Sequence, residues 1–306
     1  MIITLPQTTT AEINARLVES RMDYGVVTLA RVMTLVIDAT GADAEQAIRT
    51  ANVASREHPC RIVVISPGDS AEARLDAEIR VGGDAGASEV IVLRPAGEQI
   101  DHQDTLVTPL LLPDAPIVAW WPADVPADMA GCALGRMAQR RITDTKGEED
   151  PTAVLLSLAR CYRPGDTDLA WTRLTRWRAL LASALDQVPD PRVSVARMHG
   201  DFNSPSILLL GAWLRRALGC EIEATYDASV TALQSITLET PSGPVSISRP
   251  DGRNATLSQP GQPDHVITLP ARALDEALAE ELRRLDDDAL YGEVLASFAS
   301  ETVVPL

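Results

Sequence analysis

After a first helix predicted at 9–21, a strand, a helix and a second strand follow in order, and this order most constrains what the chain can fold into. Residues 26–38 are strongly β-like, residues 42–56 carry an apolar stripe at helical spacing, and residues 60–65 form a continuous apolar run. Such a unit places its two strands side by side and parallel, with both faces buried. Two more β-like segments, 75–81 and 89–93, have the spacing of a hairpin. The N-terminal part is therefore predicted to contain an α/β layer with a mixed sheet.

The C-terminal part predicts a second α/β region. A strand at 193–198 precedes a nearly all-apolar helix at 207–218. Ser204 suits the N-cap of that helix, Pro205 its first position and Gly219 its C-terminal stop. Further strands and a last helix are predicted at 220–225, 232–240, 245–249, 255–259, 265–269 and 274–298.

Two helices, predicted at 151–161 and 168–186, form a bridge between these parts. The length of 306 residues also favours two domains, at a prior of about 150 residues each. The predicted fold class is α/β: two α/β domains with mixed sheets, linked by a helical segment. Their predicted limits are 1–145 for the N-terminal domain, 146–190 for the helical linker region and 191–306 for the C-terminal domain.

The net charge of −16 argues against whole classes of partner. It arises from 43 acidic and 27 basic residues, and such a surface repels nucleic acids and anionic membranes. The N-terminal sequence Met-Ile-Ile-Thr-Leu-Pro lacks the features of a signal peptide. The longest apolar run, residues 207–214, is shorter than the ~20 residues that a membrane span needs. We therefore expect a cytoplasmic protein whose partners are proteins or small molecules.

The sequence contains no recognisable catalytic or cofactor-binding signature. A P-loop, a nucleophile elbow and a zinc-protease helix motif are all missing, and the four cysteines lack metal-ligand spacing. The glycine-rich loop at 82–87 precedes a predicted strand, whereas a dinucleotide fingerprint requires a helix there, so a tight turn explains the glycines better. We therefore expect no catalytic residue, no cofactor and no metal.

The segment around His199 is the most site-like in the sequence. It carries Arg197, His199, Gly200, Asp201 and Ser204 between a predicted strand and the start of a helix. α/β proteins often bind anions at such a place, because free N–H groups and the helix dipole favour negative charge. A site for a small anionic ligand is one interpretation of these residues, and an ordinary polar capping loop is the other.

Two tryptophans and three arginines form a second candidate site. In a strand, Trp120 and Trp121 would point to opposite faces, so that one fills a core while the other covers a helix or meets a partner. Arg136, Arg140 and Arg141 are the densest basic cluster of the chain. Arg136 and Arg140 would share a face if their segment were helical. The cluster either pairs with the chain's own carboxylates or binds a phosphate or an acidic patch on another protein.

Four segments together carry a resemblance to a known family, and they keep their order along the chain. They are SREHPCR at 55–61, IRVGGDAGASE at 79–89, LLLPDAPIVAWWP at 110–122 and RMAQRRITD at 136–144. In these segments the chain resembles the glucose-6-phosphate dehydrogenase assembly protein family, often called OpcA. The resemblance implies a non-catalytic activator or assembly factor of the oxidative pentose phosphate pathway. Such a protein would bind glucose-6-phosphate dehydrogenase and promote its active conformation or oligomer.

Two other functions stay open beside this one. A sugar-phosphate or nucleotide-binding enzyme would use the loop 197–206, and a metabolite sensor would bind a ligand in the same loop without turnover. If the chain instead binds the dehydrogenase, we expect the contact to include Trp120, Trp121, Arg136, Arg140 and Arg141, because tryptophan and arginine most often anchor interfaces.

Overall fold

The computed structural model describes residues 1–24, 31–81, 89–201, 204–227, 229–230 and 232–300, with the backbone alone for 21–24. The chain divides into two compact units, each built from several segments. Unit 1 comprises Met1–Asp144, Tyr162–Thr167 and Leu274–Asp288, and unit 2 comprises Thr145–Cys161, Asp168–Ala273 and Ala289–Leu306. Residues 146–190, which the sequence assigns to a separate linker, thus belong mostly to unit 2.

Unit 1 contains an eight-stranded sheet flanked by helices. Its strands are β1 (Ile2–Leu5), β2 (Met33–Asp38), β3 (Cys60–Ile65), β4 (Arg74–Arg80), β5 (Glu89–Ala96), β6 (Ile117–Trp121), β7 (Arg140–Thr143) and β8 (Asp166–Asp168, the last residue being assigned to unit 2). Its helices are α1 (Thr10–Tyr24), α2 (Gly41–Ala54), α3 (Gln103–Val107), α4 (Ala133–Met137) and α9 (Leu274–Arg283).

The sheet of unit 1 is mixed, with a parallel centre. The strands lie in the order β1-β4-β5-β3-β2-β6-β7-β8, and β5, β3, β2, β6 and β7 run parallel to one another. Every residue of β3 is buried, as expected for a strand whose two faces are both covered. The predicted hairpin is confirmed by the antiparallel pairing of β4 and β5. Its glycine-rich loop lies outside the described residues.

Unit 2 contains a six-stranded sheet and most of the remaining helices. Its strands are β9 (Val195–Gly200), β10 (Glu221–Tyr226), β11 (Leu233–Thr240), β12 (Gly243–Ser248), β13 (Asn254–Ser258) and β14 (His265–Thr268). Its helices are α5 (Pro151–Cys161), α6 (Leu169–Thr172), α7 (Thr175–Leu185), α8 (Pro205–Leu218) and α10 (Ala289–Ser300).

The C-terminal elements follow the sequence pattern closely. β9 and β10 are parallel, as the intervening helix α8 requires, and the other pairs are antiparallel in the order β10-β9-β11-β12-β13-β14. In α8, Ser204 is the N-cap and Pro205 the first helical residue, while Gly219 ends the helix with left-handed φ of 64°. The predicted fold class, two α/β regions with mixed sheets, is confirmed.

Two predicted long helices are each broken in the structure. The helix predicted at 168–186 is two helices, α6 and α7, interrupted at Arg173 and Leu174. Asp168 is the N-cap of α6 and accepts a hydrogen bond from the backbone N–H of Ala170 at 2.8 Å. The helix predicted at 274–298 separates into α9 and α10 around the sequence Leu-Asp-Asp-Asp at 285–288. Adjacent aspartates repel one another and compete for backbone hydrogen bonds, so they disfavour a helix interior.

Candidate functional site

Unit 1 has the strand order of a doubly wound sheet. Across the sheet, the parallel strands lie in the order β5-β3-β2-β6-β7. When these five strands are numbered by their order in the chain, the order across the sheet is 3-2-1-4-5. The order reverses between β2 and β6. Sheets of this type bind their ligands outside the carboxyl ends of the strands at that point of reversal. The ends of β2 and β6 are therefore the first place to look for a site.

This edge of the sheet is acidic. β2 ends at Asp38, and Asp124 follows β6. Burial raises the pKa of the Asp38 carboxyl, hydrogen bonds from Gln103 and Trp121 lower it, and the charge of Asp124 raises it further. The Gln103 amide donates to Asp38 Oδ2 at 3.2 Å. Two carboxyl groups at the point where the strand order reverses would repel the negatively charged pyrophosphate of a dinucleotide and so disfavour its binding.

The first turn of the doubly wound sheet also lacks a dinucleotide fingerprint. It reads Asp-Ala-Thr-Gly-Ala-Asp at 38–43, with one glycine, Gly41, at φ 51°. The fingerprint G-x-G-x-x-G needs further glycines to let the backbone approach the pyrophosphate. The geometry and the charge of this edge therefore disfavour a nucleotide site here.

The tryptophans of the second candidate site are both buried. Trp120 is fully buried, and 3% of the Trp121 surface is accessible. They alternate across β6 as predicted, but neither is exposed. Their burial explains why the chain places two tryptophans side by side: each supplies a large apolar surface to the interior of the protein.

The arginines of this candidate site separate into two groups. Arg136 lies on α4 and is exposed, with Nη1 donating to the carbonyl of Gly131 at 2.5 Å. Arg140 and Arg141 belong to strand β7 and are buried. The condition under which Arg136 and Arg140 would share a helical face is not met, because α4 ends at Met137 and Arg140 begins strand β7.

Both buried arginines are neutralised within unit 1. Arg140 Nη2 donates to Glu281 Oε2 of α9, and Arg141 Nε donates to Asp166 Oδ1. Arg141 also donates to the carbonyls of Ala138 at 2.8 Å and Pro164 at 2.5 Å. Of the two interpretations of the cluster, pairing with the chain's own carboxylates holds for Arg140 and Arg141.

The predicted ligand residues around His199 do not converge. Arg197 lies on the exposed face of β9 and forms ion pairs with Glu223 at 2.7 Å and Glu239 at 2.6 Å on the neighbouring strands. His199 is on the same face, with Nε2 3.9 Å from a carboxylate oxygen of Asp227. The strand ends at Gly200, which is buried, and Asp201 follows it. These contacts explain Arg197 as part of an exposed cross-strand network.

Of these five residues, Ser204 lines a cavity whose described lining lies within unit 2. Five basic side chains line the same cavity, namely Lys146, Arg173, Arg176, Arg249 and Arg272. The sequence pattern did not predict that these five residues form one site. One signal was present, since Arg173 and Arg176 lie on the polar side of a predicted helix. The other three come from segments far apart in the chain, and their approach depends on the tertiary fold.

Neither a metal cluster nor a membrane span occurs in the part of the chain that the structure describes. That part contains no group of three or more His, Cys, Asp or Glu side chains that could hold a metal ion. No described helix is long and apolar enough to cross a bilayer.

The two sheets define the class of this chain, an α/β protein with one mixed sheet in each unit. Residues 51–160 match the family model described as the glucose-6-phosphate dehydrogenase subunit N-terminal domain. Residues 164–295 match the corresponding C-terminal domain. The chain therefore belongs to the OpcA family of glucose-6-phosphate dehydrogenase assembly proteins, and the resemblance of its four segments is confirmed.

Two cyanobacterial proteins assigned as OxPP cycle protein OpcA are similar to the chain. The protein of Synechococcus elongatus is 28% identical over 184 residues, which cover 55% of this chain and 41% of that relative. The protein of Synechocystis is 28% identical over 159 residues, which cover 48% of this chain and 33% of that relative. The chain thus matches less than half the length of either curated relative.

Solved structures similar to the chain include oxidoreductases, at low scores. KijD10, a 3-ketoreductase from Actinomadura kijaniata, has a TM-score of 0.49 at 10% identity, covering 87% of this chain and 95% of that one. An oxidoreductase from Thermotoga maritima has a TM-score of 0.42 at 10% identity, covering 88% and 95%. Likenesses this weak carry no argument about activity.

Proposed function

We propose that this chain binds glucose-6-phosphate dehydrogenase and shifts it towards its active conformation or oligomer without catalysing a reaction itself. The observation that carries the proposal is the presence of both dehydrogenase-subunit domains, in order, along one chain. The acidic switch point of unit 1 supports the non-catalytic part, because that edge is where a doubly wound enzyme would hold its nucleotide.

Activation of this kind has a definite thermodynamic requirement. An activator acts only if it binds the active state of its target more tightly than the inactive state. A hundredfold shift in that equilibrium needs about 2.7 kcal/mol of differential binding free energy. One or two well-placed anchors at an interface supply this much.

The exposure of Arg136 supports a contact at the α4 segment, residues 122–138. Four of the residues expected at this contact are buried within the chain: Trp120, Trp121, Arg140 and Arg141. They would therefore pack below the contact surface and would not touch the partner. Arg136 is the member of the set that a partner could reach directly, and arginine is a common interface anchor. An acidic patch on the dehydrogenase would complement it.

The experiment that tests the proposal combines kinetics with co-elution. Purified dehydrogenase is assayed with and without the chain, and the mixture is passed over a size-exclusion column at micromolar concentration. We expect joint elution and a changed kcat or KM. Separate elution together with unchanged kinetics would contradict the proposal. Dehydrogenase turnover by the chain alone would contradict its non-catalytic part.

A further inference from the structure

A small cavity opens in unit 2 beside the N-terminus of α8. Its volume is about 70 Å³. Ser204 and Ser206 belong to the start of α8, Arg176 to the first turn of α7, and Arg249 and Arg272 to the segments that follow β12 and β14. Separate segments of the chain thus meet at this cavity.

The charge of the cavity contrasts with that of the whole chain. Five of its lining side chains are basic, and none of the lining residues within the described part of the chain is acidic. The chain as a whole has 43 acidic residues against 27 basic ones. A concave surface lined by charges of one sign concentrates the field and attracts small ions of the opposite sign.

Arg249 is the most unusual of these side chains. It is 5% exposed, and its Nη1 and Nη2 donate to the carbonyls of Leu269 and Leu233, both at 3.0 Å. Its Nε has no hydrogen-bond partner among the described residues. Its guanidinium carbon lies 5.1 Å from the ring centroid of Trp177.

Arg249 also has no carboxylate within ion-pairing distance in the described part of the chain. Burial accordingly lowers the pKa of its guanidinium, while the charge of Asp251 raises it. A buried charge without a counter-ion is costly, and it contrasts with Arg140 and Arg141, each of which has a carboxylate partner. An anion in the cavity would supply the missing charge and accept from Nε.

The N-terminus of α8 adds further donors. This helix has 14 residues, and its N-cap Ser204 makes no side-chain capping hydrogen bond. The hydroxyl of Ser206 donates to the carbonyl of Ala170 at 2.9 Å. The first-turn N–H groups and the dipole of a helix favour an anion at this end, and the Ser204 hydroxyl can donate to it.

We propose that this cavity binds the phosphate group of a small anion. Phosphate fits because it is compact, carries up to two charges and accepts hydrogen bonds in several directions, as Nε of Arg249 and the start of α8 together require. The group is carried either by a small phosphate ester or by free phosphate. The exposed side chains of Lys146 and Arg176 lie at the same cavity, where they can contact the remainder of an ester. The inference stands apart from dehydrogenase activation, because binding is measured on the chain alone.

Isothermal titration calorimetry of the full chain tests this inference. The probes are inorganic phosphate, glucose 6-phosphate as a representative ester and glucose as its uncharged counterpart, all at matched ionic strength in chloride. We expect saturable binding of at least one phosphate probe and none of glucose. Tighter binding of glucose 6-phosphate than of inorganic phosphate would identify an ester as the ligand, and the reverse order would identify free phosphate. Absence of saturable binding by both phosphates would overturn the proposal.

Matched variants locate the binding within the chain. Arg249→Lys keeps the charge but loses the Nε donor and should weaken phosphate binding about tenfold or more. The double variant Arg176→Gln with Ser204→Ala changes only side chains that are not fully buried, so we expect it to fold. It tests the location of the phosphate site even if the Arg249 variant fails to fold. Arg192→Gln, an exposed arginine of unit 2 that pairs with Asp190, is the control and should bind as the unmodified chain does. Unchanged affinity in the Arg176/Ser204 double variant would overturn the proposed location.

Discussion

The guanidinium of Arg140 is buried against the carboxylate of Glu281, and this pairing limits how the arginine cluster can be altered. Arg140 Nη2 makes the contact, while Nε and Nη1 have no hydrogen-bond partner among the described residues. Removing one partner of a buried pair leaves the other charge uncompensated, whereas replacing both by apolar groups removes the problem.

We therefore expect Arg140→Met to lower the free energy of unfolding by about 3–5 kcal/mol. The double variant Arg140→Met with Glu281→Leu should recover most of this loss, because the carboxylate is removed together with the guanidinium that it faces. Urea denaturation of the two variants and the unmodified chain measures both effects. Equal destabilisation by the single and the double variant would show that the ion pair is not the cause.

Arg136 should behave differently, because it is exposed and not part of a buried ion pair. Arg136→Glu is expected to weaken dehydrogenase activation about tenfold or more while leaving the melting temperature nearly unchanged. Arg284→Glu, which reverses another exposed arginine of unit 1, is the matched control and should retain activation. Activation that persists in folded Arg136→Glu would place the partner contact elsewhere.

Asp38 makes the stability of unit 1 depend on pH in a definite direction. Its pKa is raised in the folded protein, first by burial, above an unfolded value of about 3.9. Between these two values the folded state holds the proton more tightly than the unfolded chain, so stability falls as pH rises through that window. Above it, the folded state bears the full cost of the buried carboxylate.

We expect Asp38→Asn to be more stable than the unmodified chain at neutral pH, with the difference shrinking as pH falls through the folded pKa. Urea denaturation at a series of pH values measures this, and Asp43→Asn, an exposed residue of α2, is the control. A stability difference for Asp38→Asn that stays constant across the pH series would refute the assignment.

At the scale of single residues, the sequence indicated that the arginines at 136–141 form a basic cluster, but it did not indicate which side chains surround them. The density of arginines at 136–141 is visible in the sequence, yet Glu281 lies 141 residues away. Only the packed chain brings that carboxylate to Arg140. The basic cavity of unit 2 was missed for the same reason, because Arg249 and Arg272 stand far from Lys146 in sequence.

Among the elements, those with a strong local pattern were predicted well. α5 has the predicted bounds, and β3 also coincides with the apolar run that indicated it. α6 and α7 were not separated in advance, because their apolar residues stay at helical spacing across the break. The break lies at Arg173 and Leu174, and the hydrophobic periodicity does not report it.

The C-terminus of α8 gives a quantitative prediction for one element. Gly219 adopts φ 64° and its N–H donates to the carbonyl of Arg215 at 2.8 Å. A Cβ added there meets nothing within 4 Å, so any cost is purely conformational. We expect Gly219→Ala to destabilise the protein by about 1 kcal/mol and Gly219→Asn by less, because asparagine tolerates the left-handed region better.

Gly147 is the matched control for this change. A Cβ added at Gly147 also enters open space, but the backbone there has no left-handed φ, so Gly147→Ala should be nearly neutral. The comparison is made by urea denaturation of all three variants. Equal effects at Gly147 and Gly219 would mean that backbone conformation is not responsible.

For the molecule as a whole, the net charge of −16 and the basic cavity together imply selection by size. A small phosphate can enter the cavity, whereas a long polyanion is repelled by the net negative charge of the chain. We expect duplex DNA at about 0.1 M salt neither to bind the chain nor to compete with phosphate in calorimetry. Competition by DNA would mean that the basic residues form an open surface instead.

The composite nature of unit 1 has a consequence for how the protein is made. Its segment Leu274–Asp288 includes Glu281, the counter-ion of Arg140 in β7, so this pair joins two stretches that are translated far apart in time. A ribosome adds about 5–20 residues per second. Until the ribosome has translated Glu281, Arg140 of the nascent chain therefore lacks this carboxylate partner. The amino-terminal sheet is thus expected to mature only once α9 has been synthesised, and early termination before α9 would leave it unfinished.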